Sequence, residues 1–190
     1  NEHERAADTK TIFGFWVYLM TDFMLFASLF AVFIVLRSNE AALGVGVALF
    51  DMRVALAETL ILLTSSLTCG LFLLAARAGH VRQVLAWMGV TALLGAVFVG
   101  IELAEFRTLI AEGYGPSASG FMSAFFTLVG THGLHVSAGL LWMIVLAWRI
   151  MRDGLTRAHM RKLMLLGMFW HFLDVIWIFI FTIVYLMHTL

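Results

Sequence analysis

Five long apolar stretches alternate with short polar segments along the chain: Ile12–Leu36, Val54–Ala76, Val84–Phe106, Gly120–Trp148 and Leu163–Met187. The hydrocarbon core of a bilayer, about 30 Å thick, is crossed by roughly 20 apolar residues in helical form. Each stretch reaches that length. Lipid offers the backbone no hydrogen-bond partners, so such segments fold as helices that satisfy themselves. The pattern predicts an all-α, polytopic membrane protein of five transmembrane helices, at about 12–36, 54–76, 84–106, 120–148 and 163–187. These form a single membrane domain over residues 1–190.

Composition agrees. The chain is 62% hydrophobic and 13% charged, against about 45–50% and 25% for soluble domains. Its formal net charge is zero, and no basic run suits nucleic acid. The single cysteine, Cys69, lies within an apolar stretch, which excludes an internal disulfide or a cysteine metal cluster. The first stretch is too long for a signal-peptide core, and its leader mixes Glu2, Glu4 and Asp8 with Arg5 and Lys10. It is expected to be a retained helix.

Charge between the stretches predicts orientation. With five spans, the N-terminus, Arg77–Gln83 and Arg149–Lys162 share one side. They hold Arg5, Lys10, Arg77, Arg82, Arg149, Arg152, Arg157, Arg161 and Lys162. The other side has Arg37, Arg53 and Arg107. Flanking Lys and Arg stay inside, so the N-terminus is expected in the cytoplasm and the C-terminus in the periplasm. Trp16, Tyr18, Trp87 and Trp148 lie near the cytoplasmic helix ends, where amphipathic rings favour the interface. The segment Ser38–Met52 mixes polar and apolar residues and reads as lying on the membrane surface. Thr108–Ser119 holds Gly113, Gly115 and Pro116, the signal of a turn.

Five acids fall inside the stretches, Asp22, Glu58, Glu102, Glu105 and Asp174, with three histidines, His132, His135 and His171. A charge at the bilayer centre costs about 2.5–3.5 kcal/mol on insertion scales. These groups therefore face the bundle or a partner. Asp22 lies about 15 Å into the first helix. It is either a proton-exchanging carboxyl or, as we favour, a neutral one hydrogen-bonded across the bundle. Glu102/Glu105, His132/His135 and His171/Asp174 each have the i,i+3 spacing of one helix face. Helices carrying Glu-x-x-His pairs can converge on a di-metal site. The three pairs differ in height, whereas one metal needs all its ligands within about 2–2.6 Å. Hydrogen bonds between helices are the favoured reading.

The small pairs Ala27/Ala31, Ala92/Ala96 and Gly133/Ser137, and the cluster Gly130–Gly133–Gly139, predict close helix packing. Phe121, Phe125, Phe126 and the aromatic run Trp170 to Tyr185 read as lipid or interface contacts. The eleven methionines supply soft packing. A Gly-x-Ser-x-Gly elbow, a phosphate loop and a dinucleotide fingerprint are all missing from the sequence.

The residues also carry a resemblance. GTHGLHVSAGLLWM (Gly130–Met143) and FWHFLDVIWIFIFTIVYLM (Phe169–Met187) resemble the signature helices of subunit III of haem–copper terminal oxidases. FGFWVYLMTDFMLFASLFAVFIVL (Phe13–Leu36) and GIELAEF (Gly100–Phe106) match the same family in order. Mitochondrial-type members have seven helices; this chain lacks the first two. Asp22 stands where the family has an intramembrane Glu. The short form and the Tyr-Leu-Met-Thr-Asp run are similar to proteobacterial bo-type ubiquinol oxidases.

That resemblance implies an accessory, non-catalytic subunit of a complex that couples quinol oxidation and oxygen reduction to proton pumping. It implies haems and copper in the partner subunit I, none in this chain, direct contact with subunit I, and subunits II and IV in the same complex. Bound phospholipid, support of assembly and stability, and a route for oxygen are further implications, as is a place in the bacterial inner membrane. His132, His135, His171, Asp174 and Glu105 match family motif positions, with the implied task of joining helices. Three alternatives stay open: subunit III of a bacterial cytochrome c oxidase, an autonomous membrane metalloenzyme, and a proton channel using Asp22 and Glu58.

Overall fold

The computed structural model describes residues 2–41 and 51–186. Among them every regular element is a helix: α1 (Glu2–Ala41), α2 (Met52–Arg77), α3 (Val81–Ala111), α4 (Gly120–Asp153) and α5 (Arg157–Ile180). A wider π turn, Phe181–Leu186, continues α5. All five are long and apolar enough to cross a membrane. The chain is a multi-pass membrane protein. The expected surface segment Ser38–Met52 falls mainly on residues 42–50, outside the described residues, as does Met187 at the end of the fifth stretch.

Every helix extends beyond its apolar stretch at one or both ends. At 1.5 Å per residue, the 40 residues of α1 make a rod of about 60 Å, twice the hydrocarbon thickness. Polar residues at the ends keep their helical hydrogen bonds after the membrane stops. Thus Arg149–Lys162, expected as a loop, is mostly helix, and only Gly154–Thr156 connects α4 to α5. Local chemistry sets the ends. Asp51, Ser119 and Thr156 cap α2, α4 and α5 by accepting from the backbone N–H groups of Arg53, Met122 and His159. Gly79 and Gly113 adopt φ of 76° and 88°. Each closes a helix C-terminus with paired bonds back to the last turn, from His80 to Ala75 and from Tyr114 to Leu109.

The short connections make α2/α3, α3/α4 and α4/α5 antiparallel neighbours. Helix α1 packs on α4 and α5. Its end lies against the start of α4, with Leu36 beside Gly120, and its start is tied to α5 by the ion pair of Asp8 with Arg161. Helix α5 is the most buried of the five and packs against α1, α2 and α4. The outer surface is apolar, with Phe13, Met24, Leu60, Leu67, Leu134 and Leu141 all well exposed. An apolar surface this extensive is stable only against lipid or protein.

The aromatics correct one expectation. Phe121, Phe125, Trp170, Trp177 and Tyr185 are buried, and Phe126 is half-buried; they form the bundle core, not its lipid face. The lipid-facing side of α5 carries Val175, Ile178 and Phe179. Large rings fill the centre because small residues opposite make room. A Cβ at Gly95 would stand 2.7 Å from the Trp170 ring, and one at Gly139 would stand 3.1 Å from Phe169 and 3.2 Å from Trp170.

The expected small pairs behave differently. Ala27, Ala31 and Ala96 are exposed, and Ala27 and Ala31 border an apolar groove with Phe30 and Phe179. Equal spacing does not say which face of a helix meets a neighbour.

Candidate functional site

The ionisable groups inside the bundle fall into three separate neighbourhoods. On the α1/α4 side, Asp22 Oδ2 lies 3.3 Å from His135 Nε2. The other ring nitrogen, Nδ1, is 2.7 Å from the Thr131 carbonyl oxygen. A carbonyl only accepts, so Nδ1 carries a proton. Nε2 is thus the ring nitrogen turned toward the carboxyl of α1. Tyr18, one turn before Asp22, reaches the same carboxyl. The pair joins α1 to α4.

At the centre, His132 is fully buried. Its Nε2 donates to the Leu173 carbonyl of α5 at 3.0 Å, and the rings of Phe26, Phe98 and Trp177 surround it. His171, two residues before Leu173 on α5, meets the Ser66 hydroxyl through Nδ1 at 2.7 Å. Asp174 lies beside Ser66 and Cys69 of α2. These three groups link α5 to α4 on one side and to α2 on the other.

The third neighbourhood is acidic. Glu102 and Glu105 of α3 share a face, as their spacing predicts, and Glu58 of α2 lies within electrostatic reach of both. Glu58 and Glu102 are buried, and none of their four oxygens finds a hydrogen-bond partner among the described residues. Glu105 accepts a long hydrogen bond from the Tyr185 hydroxyl at 3.4 Å. Asp22 and Glu58, paired in the proton-channel alternative, stand in different neighbourhoods.

Among the described residues, no three His, Cys, Asp or Glu side chains gather as the ligands of one metal ion would. The histidines have bonds of their own: one ring nitrogen of each is held by Leu173, Thr131 or Ser66.

Neutral groups that the sequence did not mark as hydrogen-bonding also join helices at short range. Trp170 Nε1 donates to Ser65 Oγ at 2.8 Å, and Trp177 Nε1 to Thr59 Oγ1 at 3.0 Å. Thr68 and Thr91 join α2 to α3 at 2.7 Å. The available signal was the hydroxyl series Thr59, Ser65, Ser66 and Thr68 within one apolar helix, since a polar side chain in lipid gains by bonding across to a neighbour.

Comparison with known proteins accords with this arrangement. The sequence pattern of the family described as cytochrome c oxidase subunit III matches residues 1–189. The chain is 55% identical to cytochrome bo(3) ubiquinol oxidase subunit 3 of Pseudomonas aeruginosa, over 100% of this chain and 92% of that protein. It is 41% identical to quinol oxidase subunit 3 of Bacillus subtilis, over 98% and 91%. With the probable quinol oxidase subunit 3 of Staphylococcus aureus it shares 42%, over 91% and 87%. A five-helix membrane bundle with buried polar cross-links, matched along its whole length, therefore belongs to the cytochrome c oxidase subunit III family.

Proposed function

We propose that this chain is the accessory third subunit of a haem–copper ubiquinol oxidase in the bacterial inner membrane. The observation that carries the reading is full-length similarity, at 41% to 55% identity, to third subunits of quinol oxidases from distant bacteria. The complex oxidises quinol, reduces oxygen to water and pumps protons. Haems and copper reside in subunit I, which this chain contacts directly, and subunits II and IV complete the assembly.

The site geometry supports an accessory part. His132 and His171 spend a ring nitrogen on a bond to a neighbouring helix, and His135 faces Asp22 of α1, so all three side chains serve contacts between helices. Polar side chains that join helices hold a bundle whose outer faces are free to dock. The N-terminus lies in the cytoplasm, as the placement of nine of the twelve Lys and Arg residues indicates. Phospholipid occupies the apolar grooves between this chain and its partners, and oxygen, an apolar gas, can pass along them.

Affinity capture of this chain from membranes in mild detergent tests the reading. A larger haem-bearing subunit and quinol oxidation should come with it. A strain lacking the chain should keep the haem absorbance while turnover or stability falls. Purification of the chain alone, without haem or oxidase activity, would overturn the assignment.

A further inference from the structure

Two of the buried acids do not serve the adhesion that the other polar groups serve. Glu58 of α2 is 0% exposed and Glu102 of α3 is 3% exposed. None of their four oxygens meets a hydrogen-bond partner among the described residues. A buried polar group in that state costs stability and returns no bond between helices. Yet α4 makes room for one of them, since a Cβ at Gly133 would stand 2.9 Å and 3.0 Å from the Glu102 oxygens.

The charged groups around them are acids too. Glu58, Glu102 and Glu105 lie within electrostatic reach of one another and of the Tyr185 hydroxyl. Tyr185 is buried on the wider π turn that continues α5, a distortion frequent at functional sites. Its hydroxyl donates to Glu105 at 3.4 Å. From α4 the cluster meets Gly133, while the adjacent His132 turns its ring to Phe26, Phe98 and Trp177. Like charges repel strongly in an interior of low dielectric constant, so protons on these carboxyls are what lets them share the space.

A path of decreasing exposure leads to the pair. Asp51, the cap of α2, is exposed and lies within electrostatic reach of Glu105, which is half-buried. Glu102 follows one turn deeper on α3. Glu58 stands on α2 roughly 10 Å beyond Asp51 at 1.5 Å per residue. All four are reached from one end of the bundle, where α2 begins and α3 ends. Gaps wider than a hydrogen bond are bridged by water, which both donates and accepts, and buried polar sites with several partners are where water is held.

We propose that Glu58 and Glu102 form a buried, hydrated proton-binding site that exchanges protons with the adjacent membrane surface through Glu105 and Asp51. Each step moves one proton from a carboxyl oxygen, through water, to the next carboxylate oxygen. No bond to carbon changes and nothing is oxidised. The site is separate from the Asp22–His135 pair, which spends its polar atoms on joining α1 to α4.

The test is infrared difference spectroscopy on the intact complex in nanodiscs of native lipid. Spectra of Glu58→Gln and Glu102→Gln are subtracted from that of the unchanged protein at neutral pH. At least one subtraction should leave the carbonyl stretch of a protonated carboxyl. The matching Asp variant, Glu58→Asp or Glu102→Asp, retains the acid and should move that band instead of removing it, which separates loss of the group from misfolding. In heavy water the band should shift as the proton exchanges. Exchange should slow about tenfold in Asp51→Asn/Glu105→Gln, a barrier change of about 1.4 kcal/mol. Asn still caps α2, and Gln still accepts from Tyr185. Absence of the band from both subtractions would overturn the site. So would a band that ignores heavy water, or one that exchanges at an unchanged rate in the double variant; either marks a carboxyl that is structural only.

Discussion

Trp170 of α5 donates its indole proton to the Ser65 hydroxyl of α2 at 2.8 Å, with both side chains buried. The same ring rests on Gly95 of α3 and Gly139 of α4. One side chain therefore registers α5 against three helices at once. Lipid supplies no hydrophobic force between apolar helices, so such packing and interhelical hydrogen bonds carry the association.

Ser65→Ala should cost roughly 1–2 kcal/mol, above the ~0.6 average for interhelical bonds, because the buried indole N–H loses the hydroxyl that accepts it. The readout is the temperature at which the subunit leaves the detergent-purified complex. Adding Ser65→Ala to Trp170→Phe should cost little more than Trp170→Phe alone, since the donor is already gone. Full additivity would show that the bond contributes nothing.

Gly95→Ala and Gly100→Ala make a second comparison. A Cβ at Gly95 meets Trp170 at 2.7 Å and Leu140 at 2.9 Å, whereas one at Gly100 meets nothing within 4 Å. The first change should destabilise by about 1–3 kcal/mol through overpacking. The second should be neutral or stabilising by up to about 1 kcal/mol, as helix propensity predicts. Thermal dissociation of the two variants measured side by side decides it.

The Asp22–His135 pair offers a third. Asp22→Asn keeps a group able to donate to Nε2, and should change stability by less than about 1 kcal/mol. His135→Leu leaves a buried carboxyl without its partner. It should be more harmful than the double change Asp22→Leu/His135→Leu, because an orphaned ionisable group costs more than its absence. Subunit yield in membranes and thermal dissociation both report this order; a double variant worse than His135→Leu would refute it.

Orientation can be read chemically. The only native cysteine, Cys69, is buried, so introduced cysteines report against a quiet background. Glu112→Cys, in the α3–α4 turn, should react with a membrane-impermeant maleimide in intact cells. Ala78→Cys, in the α2–α3 turn, should react only after permeabilisation. The reverse pattern would invert the proposed topology.

Much of this molecule is visible in the order of its residues. Stretches of 20 or more apolar residues leave only one economical backbone state in lipid, so the number and rough position of the helices needed no tertiary information. The motifs around His132, His135, His171 and Asp174 were distinctive enough to point to the family. Helix ends were less legible. Arg149 to Asp153 and Arg157 to Lys162 are polar, but they remain helical beyond the expected membrane edge, because a helix stops where its capping groups stand and not where the lipid ends.

Partnerships between helices were not visible at all. In a soluble helix the polar face marks the outside; here the lipid side and the core side are both apolar, so periodicity cannot tell Phe125 in the core from Phe179 on the surface. Nor could spacing show that Asp22 meets His135, that Glu58 joins Glu102 and Glu105, or that Gly133 makes room for a carboxyl. The chain's own chemistry determined that it would form five membrane helices holding a few buried polar groups. Which of those groups meet was decided only by packing, because contact across helices depends on rotation and height, two quantities that a linear pattern equally apolar on every side does not encode.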